Sequence, residues 1–557
     1  MHTLAIFFLV LPLCQGELFP VAARFILPGY RYPPGSPWPH PRVWGNTSEL
    51  VTLNPSNFLL TSNTDCDVIT GAIDRYRPLI FIDPDAVVSS DLVAIPSLTI
   101  QVLTDEHCTL FPQLDSDPDY EAYTLDIPSS GGAKVEAKTI WGALRGLETF
   151  SQLVWTLKDD NGNSFAVANV TKIEDKPRFP HRGILLDTAR HFLTVETLKR
   201  NLDAMAYNKF NVFHWHLTDD QAFPYQSQVF PLLSEKGAYT QRHLFRQDDV
   251  REVMEYARLR GIRVIPEIDS PGHTHAMRKG HPELLTACYG DGVNPGTPDY
   301  PNHADREVLD PSKNSTYEFM KTLFQELKDL FQDKFLHLGM DEVKHACWES
   351  SPEIQNFMTE NGIQDYSQLE QYYINRHVAM IQGLGSRYIS YQDPIELGLD
   401  LGDALVQVWK DGELGGEFSS WQDYMMMVTG KGYQVIFSSC WYLNYISYGE
   451  DWRRYYECDP TNFPGTEEER SLVVGGEAAV WGEFVDGVNL EARLWPRASA
   501  VAERLWSDPV DVLGNTDDAL FRIHQHRCRM LRFTSWFFWS FWFDEREVTN
   551  SNFAGEE

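Results

Sequence analysis

Gly183-Ile-Leu-Leu-Asp187, a helical face through Leu198, Leu202 and Met205, and Phe210-Asn-Val-Phe-His214 together decide the fold. A short apolar run ends on a carboxylate, an amphipathic segment follows, and a second apolar run ends on a histidine. That is a strand–helix–strand unit. Thr194 is placed to cap the helix, with Glu196 in its first turn. The unit recurs downstream at Ile262-Arg-Val-Ile-Pro266, Phe335-Leu-His-Leu-Gly339, Arg387-Tyr-Ile-Ser-Tyr391, Ala404-Leu-Val-Gln-Val408, Gln434-Val-Ile-Phe-Ser438 and Leu472-Val-Val-Gly-Gly476. A helical face through Val250, Val253, Met254 and Ala257 closes at Gly261, the C′ position. Eight strand candidates separated by helical segments predict an α/β fold, a (β/α)8 TIM barrel. The rival, a doubly wound open sheet, lacks a Gly-x-Gly-x-x-Gly turn after its first strand.

Upstream the rhythm differs. Residues 17 to 60 are rich in proline and glycine and read as an extended lead-in. Short strands are expected at Leu79–Ile82, Leu98–Val102 and Tyr123–Ile127, followed by a helix through Ile140, Leu144, Leu147, Phe150 and Val154. These predict a small α+β domain over residues 17–173, with the barrel spanning 174–530 and a divergent tail over 531–557. Lys176-Pro-Arg-Phe-Pro180 punctuates the boundary.

Leu4 to Cys14 form an apolar core of about 11 residues, and a cut after Gly16 fits a signal peptide over residues 1–16. A bilayer span needs roughly 20 residues, and no stretch supplies it. The alternative is a buried N-terminal strand. Sequons at Asn46, Asn169 and Asn314 agree with a secretory route, to a lysosome or out of the cell. Six of the remaining cysteines can make local pairs, Cys66 with Cys108, Cys288 with Cys347 and Cys440 with Cys458. Six cysteines allow 15 pairings. Cys528 is left over.

The 557-residue chain carries 47 Lys+Arg against 79 Asp+Glu, a formal net charge of −32. Such a field repels phosphate backbones, which excludes nucleic acid as a partner.

In a barrel, chemistry gathers at the carboxyl ends of the strands. Those positions here hold Asp187, Arg190, His214, His216, Asp219, Asp220, Glu267, Asp269, His273, His275, Asp341, Glu342, Tyr391, Trp409, Trp441, Tyr442, Asn444, Trp481 and Glu483. Carboxylates, an arginine and aromatic faces suit a sugar, whose ring stacks on indoles while its hydroxyls take charge-assisted hydrogen bonds. Each aromatic could equally be core rim, and Arg190 could simply pair Asp187 or Asp219. The two His-x-His pairs invite a metal, but they follow the second and third strands rather than the first, so none is expected. Asp341-Glu342 is the sharpest feature. Adjacent carboxylates push one pKa upward, which suits a general acid. Neighbours on one strand end cannot easily straddle a glycosidic bond as the two carboxyls of a retaining glycosidase do, about 5 Å apart. The nucleophile would then belong to the substrate.

The chain resembles the lysosomal β-N-acetylhexosaminidases, glycoside hydrolase family 20, and invertebrate members more than the vertebrate subunits. The likeness runs in order over residues 60 to 530. It rests on His181-Arg-Gly-Ile-Leu-Leu-Asp-Thr-Ala-Arg-His191, His214-Trp-His-Leu-Thr-Asp-Asp220, Asp269-Ser-Pro-Gly-His273 and His337-Leu-Gly-Met-Asp-Glu-Val343. Trp441-Tyr-Leu-Asn444, Trp481-Gly-Glu483 and the segment from Arg493 to Trp506 complete it.

The resemblance implies removal of terminal, non-reducing β-linked GlcNAc or GalNAc from glycoproteins, glycolipids or chito-oligosaccharides, with retention through an oxazolinium. It implies Glu342 as acid/base, Asp341 holding the acetamido nitrogen and Tyr442 its oxygen. Arg190 and Glu483 would grip hydroxyls, Asp219 and His273 would support the acid, and Tyr391, Trp409, Asn444 and Trp481 would line the pocket. It implies no cofactor, and a homodimer.

Four departures stand out. Met340 replaces a glycine and would be crowded if φ is positive there. Tyr391 replaces a tryptophan and adds a hydroxyl. Asn444-Tyr445 matches neither the Asn-Arg pair suited to anionic sugars nor the Asp-Leu pair suited to neutral ones. Trp536–Phe543, seven aromatics in eight, offers Cys528 no partner. The competing reading is a sugar-binding protein that kept the barrel with weakened catalysis.

Overall fold

A computed structural model describes residues 34–533 apart from 105–107, 109–110, 115–116, 299–303, 413–417, 448 and 509–515. The expected signal peptide and the aromatic run 536–543 lie outside the described residues.

The N-terminal layer is an eight-stranded sheet. Its strands are β1 (Val43–Leu53), β2 (Leu59–Ser62), β3 (Val93–Ile95), β4 (Ser97–Val102), β5 (Tyr123–Ile127), β6 (Ala133–Ala137), β7 (Trp155–Lys158) and β8 (Ser164–Asp175). They run in the order β2-β4-β6-β5-β8-β1-β3, with β7 also paired to β8. Two helices, α1 (Asp67–Ile80) and α2 (Ile140–Leu153), accompany the sheet. Thr139 caps α2 by accepting from the Gly142 amide, and every residue of α2 is buried.

Two expectations are corrected here. Leu79–Ile82 is no strand: Leu79 and Ile80 finish α1, their apolar side chains continuing its buried face past Pro78. The proline-rich lead-in likewise contains β1 and the start of β2, and β1 ends in the continuously buried run Val51-Thr52-Leu53.

β8 ends at Asp175 and the barrel begins at His181. Its parallel strands are β9 (His181–Asp187), β10 (Val212–Thr218), β11 (Arg263–Ile268), β14 (Phe335–His337), β15 (Arg387–Tyr391), β16 (Leu405–Val408), β17 (Gln434–Phe437) and β18 (Val473–Val480). All eight expected strands form, and the sheet closes where β18 pairs with β9. A small ladder, β12 (Leu285–Ala287) with β13 (Arg306–Leu309), sits in the long connection between β11 and β14. Helix α3 (Val195–Tyr207) starts at Thr194, whose hydroxyl accepts from the Thr197 amide. Helix α4 (Gln247–Arg258) unwinds into Gly261, whose φ of +67° a side chain would resist. A last helix, α5, covers Thr516–Phe533.

Val212, Ile265, Phe335, Ile389, Leu405 and Ile436, one from each of six barrel strands, form an apolar cluster of their own. The two layers are joined by buried charge. Glu121 takes Arg145 at 2.9 Å and Arg182 at 2.7 Å, and Asn211 donates to its other oxygen at 3.0 Å. Arg145 also donates to the Arg260 and Gly261 carbonyls of the barrel. Nearby, Asp175 accepts from Lys209, Tyr123 and the Trp506 indole.

Cys288–Cys347 and Cys440–Cys458 are disulfides. The third expected pair is not formed. Cys66 and Cys108 are free thiols held at hydrogen-bonding distance, and burial followed by that contact pushes the Cys66 thiol up to about 12. A disulfide needs its sulfurs about 2.05 Å apart. Asn46 and Asn314 are exposed, and Asn169 lies beside Asn46 on the paired strands β1 and β8.

Candidate active site

The carboxyl ends of the barrel strands bring the expected residues together. Asp187 closes β9, and its carboxylate accepts the backbone amides of Ala189 and Arg190, which turns the chain sharply. Arg190 then reaches back, pairing Asp187 at 3.2 Å and Asp219 at 2.9 Å, with its guanidinium 5.1 Å from the Trp481 ring. Burial alone would lower the Arg190 pKa, but Asp219 and Asp187 more than offset it, so the guanidinium stays charged.

Asp219 follows β10 and lies between three cations. His216 meets it at 2.8 Å, Arg190 at 2.9 Å and His273 at 3.2 Å. Burial opposes its charge, yet His273 and Arg190 hold it well below the usual carboxylate range. His273, at φ +53°, presents its other nitrogen to Glu342 at 3.5 Å, Asp341 at 3.9 Å and Asp269 at 4.0 Å. These carboxylates and Asp219 outweigh burial and keep the imidazole protonated well above its ordinary range.

The turn after β14 is unusual. Gly339, Met340 and Glu342 have φ of +69°, +74° and +49°. A side chain at Gly339 would collide with Asp269, whose Oδ1 accepts the Met340 amide at 2.8 Å. Met340 is fully buried in a backbone conformation that costs a non-glycine residue about 1–2 kcal/mol. The φ that would make a side chain uncomfortable is therefore present, and packing holds it. The turn buries Asp341 while leaving the Glu342 side chain 48% exposed.

The expected rise in pKa falls on the other carboxylate. Burial pushes Asp341 up to about 6, with Asp269 as its hydrogen-bond partner. Asp269 is raised well above the carboxylate range by burial and by Asp341. Two buried carboxyls in contact, both raised, share one proton between them. Glu342 goes down instead, chiefly through its hydrogen bond from His273.

The aromatic wall comes from the later strands. Tyr391, Trp409, Tyr442 and Trp481 cluster with Leu185 and Ala479, with Tyr445 packed against them. Trp409 and Tyr442 stack at 6.1 Å, and Trp481 lies 6.5 Å from both Tyr442 and Tyr391. Tyr442 is fixed because the backbones of Trp441 and Leu443 bond Ala479 of β18. Asn444 is half-buried beside it, its Oδ1 without a hydrogen-bond partner. Glu483 is exposed at the rim and acts on Arg190 only through its charge.

One participant escaped the sequence. Asp393, two residues past Tyr391, accepts the Trp409 indole at 2.8 Å and the Glu342 amide at 3.4 Å, and pairs with Lys410 at 3.0 Å. Its place just after a strand end was the available signal. Asp269 was named at a strand end, but its contact with Asp341 was not foreseen. Three groups of histidines and carboxylates bring ligand-type atoms within 4.8 Å of one another, namely His214/Glu267/His337, Asp219/Asp220/His273 and Asp269/His273/Asp341. In the first, His337 already accepts the Gly339 amide and meets Gln407, which leaves it no nitrogen for an ion.

Comparison with known proteins agrees with this arrangement. The model of the glycosyl hydrolase family 20 catalytic domain matches residues 179–509, and one described as beta-acetyl hexosaminidase like matches 37–153. Beta-hexosaminidase subunit beta of Felis catus is 44% identical over 89% of this chain and 91% of its own. Subunit alpha of Mus musculus is 44% identical over 89% and 92%. The solved chitobiase of Flavobacterium johnsoniae superposes with a TM-score of 0.74 at 28% identity, covering 89% of this chain and 72% of that one. The chain belongs to glycosyl hydrolase family 20 and is a glycoside hydrolase of the β-N-acetylhexosaminidase type.

Proposed function

We propose that this protein removes terminal, non-reducing β-linked N-acetylglucosamine or N-acetylgalactosamine from glycoconjugates, with the substrate's own acetamido oxygen as nucleophile. One observation carries the reading. Asp341 and Glu342 leave the same turn at different depths, one buried against the aromatic wall and one half-exposed beside His273. Two carboxyls so placed cannot flank a glycosidic bond, so one must handle the acetamido group and the other the leaving oxygen.

In that scheme the N-acetyl group enters between Trp409, Tyr442 and Trp481. Tyr442 donates to its oxygen and aims it at the anomeric carbon. Asp341 accepts from the acetamido nitrogen and stabilises the positive charge that grows there as the oxazolinium forms. Glu342 gives its proton to the departing oxygen, then takes one from the water that opens the ring. The proton taken from water restores the acid for the next cycle, and His273 beside it holds the carboxyl in place. Arg190 binds sugar hydroxyls while Asp187 and Asp219 hold it straight.

Assembly as a homodimer and passage to a lysosome or to the exterior belong to the same reading. For the secretory route the support is the exposed sequons at Asn46 and Asn314 and two disulfides. Sugar binding without turnover is the weaker reading, because Met340 and Tyr391 leave the acid, its histidine and the wall in place.

The test is release of an aryl β-N-acetylglucosaminide by the wild type and by Glu342→Gln across acid to neutral pH. Turnover is expected in the wild type, with kcat lowered about 10²–10⁴-fold in the variant. Turnover that survives the substitution would reassign the acid.

A further inference from the structure

The barrel interior holds a line of ionisable side chains that the scheme above leaves unused. It begins at the buried His181, whose Nε2 meets Glu477 Oε1 at 2.7 Å. The other oxygen of Glu477 takes His214 Nδ1 at 2.8 Å. His214 Nε2 faces Glu267 Oε2 at 2.9 Å, and that same oxygen accepts His216 Nδ1 at 2.7 Å. His216 Nε2 continues to Asp219 at 2.8 Å, Asp219 to His273, and His273 to Glu342. Seven short contacts thus connect the first residue of β9 to the proposed acid.

Glu267 is the junction of this line. Besides His214 and His216 of β10, it faces His337 of β14, whose Nδ1 lies 3.3 Å from Oε1, and Tyr391 of β15, whose hydroxyl donates to Oε2 at 3.3 Å. His337 in turn accepts the Gly339 amide, the first step of the strained turn. The remaining charges facing His216 are Asp187 and Arg190, the latter at 3.5 Å. Gly183 leaves room for the line, because a side chain there would collide with Glu477. A fully buried carboxylate that touches three imidazoles and no solvent is costly unless each contact is needed.

We propose that Glu267 is a positioning residue, which holds His216 as a cation against Asp219 and thereby fixes the orientation and charge of the His273–Glu342 pair. Signs alternate from Glu477 onward, and His181, which burial lowers, is the neutral end of the line. Burial would lower both His214 and His216, but Glu477 and Glu267 bring the first to about 9, and Glu267 with Asp219 bring the second to about 10. Glu477 and Glu267 sit well below the carboxylate range, the histidines overcoming burial. A charge removed at Glu267 is therefore felt at Glu342, although Glu267 does not touch the acid and meets the sugar pocket only through the Tyr391 hydroxyl. The Tyr391 hydroxyl ties the pocket wall to the same oxygen.

The proposal rests on Glu342 as the acid, and its test has a part independent of turnover. In Glu267→Gln, His216 loses one of its two counter-ions and holds its proton less firmly, Asp219 faces a weaker cation, and His273 is held less firmly. Glu342 then keeps its proton to higher pH. Expected are a kcat lowered about tenfold or more with KM within about threefold, and an alkaline limb of the kcat profile moved up by about half a unit. A limb that stays in place, whatever happens to kcat, would show a structural role only and overturn the proposal.

Should Glu267→Gln fail to fold, 15N-histidine NMR of the wild type decides. At about pH 8 an ordinary imidazole is neutral. At least three imidazolium signals, from His214, His216 and His273, are expected to persist; fewer would overturn the proposal. If Glu342 were not the acid, Glu342→Gln would retain turnover while the histidine count stood.

Discussion

Two of the molecule's clusters of buried charge are built differently. Where the N-terminal sheet meets the barrel, Glu121 is enclosed by Arg145, Arg182 and Asn211, and its partners are tied to further backbone carbonyls. Burial opposes its ionisation, but the two arginines win and bring it down to about 2. At the carboxyl ends of the strands the same residue types are left in tension. Asp341 and Asp269 are pushed up, Asp341 Oδ1 has no hydrogen-bond partner, and three non-glycine residues take positive φ. The first arrangement locks two layers together. The second stores strain and a shared proton where chemistry needs them.

The sharpest way to break this contrast is at Glu121. Glu121→Ala leaves two buried guanidinium groups without their counter-ion and is expected to cost about 3–5 kcal/mol in denaturant unfolding. Turnover per folded molecule should stay at the wild-type value. A loss of kcat in fully folded variant would mean that the interface also shapes the site.

Met340 gives a smaller effect with a diagnostic sign. At an ordinary site glycine is less stable than alanine by about 0.5–1 kcal/mol. At φ +74° the order should invert, with Met340→Gly more stable than Met340→Ala by about 1 kcal/mol. The ordinary order, measured by unfolding, would show that the turn relaxes when the methionine is cut away.

Asp269 gives the smallest. An asparagine there can accept the Met340 amide and donate to Asp341, as the acid does when it holds the shared proton. Asp269→Asn is therefore expected to keep kcat within about tenfold, whereas Asp341→Asn loses far more. Equal damage from both would place the shared proton on Asp341 instead.

Much of this was legible in the sequence, for identifiable reasons. The eight barrel strands are buried on both faces, so they read as continuous apolar runs, and their terminal polar residues named Asp187, Asp219, Asp341 and Trp481. The N-terminal sheet was harder. Leu79–Ile82 is as apolar as a strand but finishes an amphipathic helix, and four residues carry no period that separates the two. The assignment of the raised pKa failed because adjacency says that one carboxylate must rise, not which one. Depth decides that, and depth follows from positive φ at Gly339, Met340 and Glu342, which no residue type announces when methionine occupies one of them. Glu267 and Glu477 were invisible as a pair because their meeting is made by barrel closure.

That inner line also bears on where the molecule is sturdiest. Carboxylates held below their unfolded range lend stability fully above an ordinary glutamate pKa and lose it as acidity passes their folded values. Imidazoles raised to about 9 and 10 lend theirs fully below an ordinary histidine pKa and lose it as pH climbs through those values. Both contributions are complete together only between about pH 4.5 and 6.5. That pH window is thus written into the barrel's own filling, out of reach of any change confined to the surface.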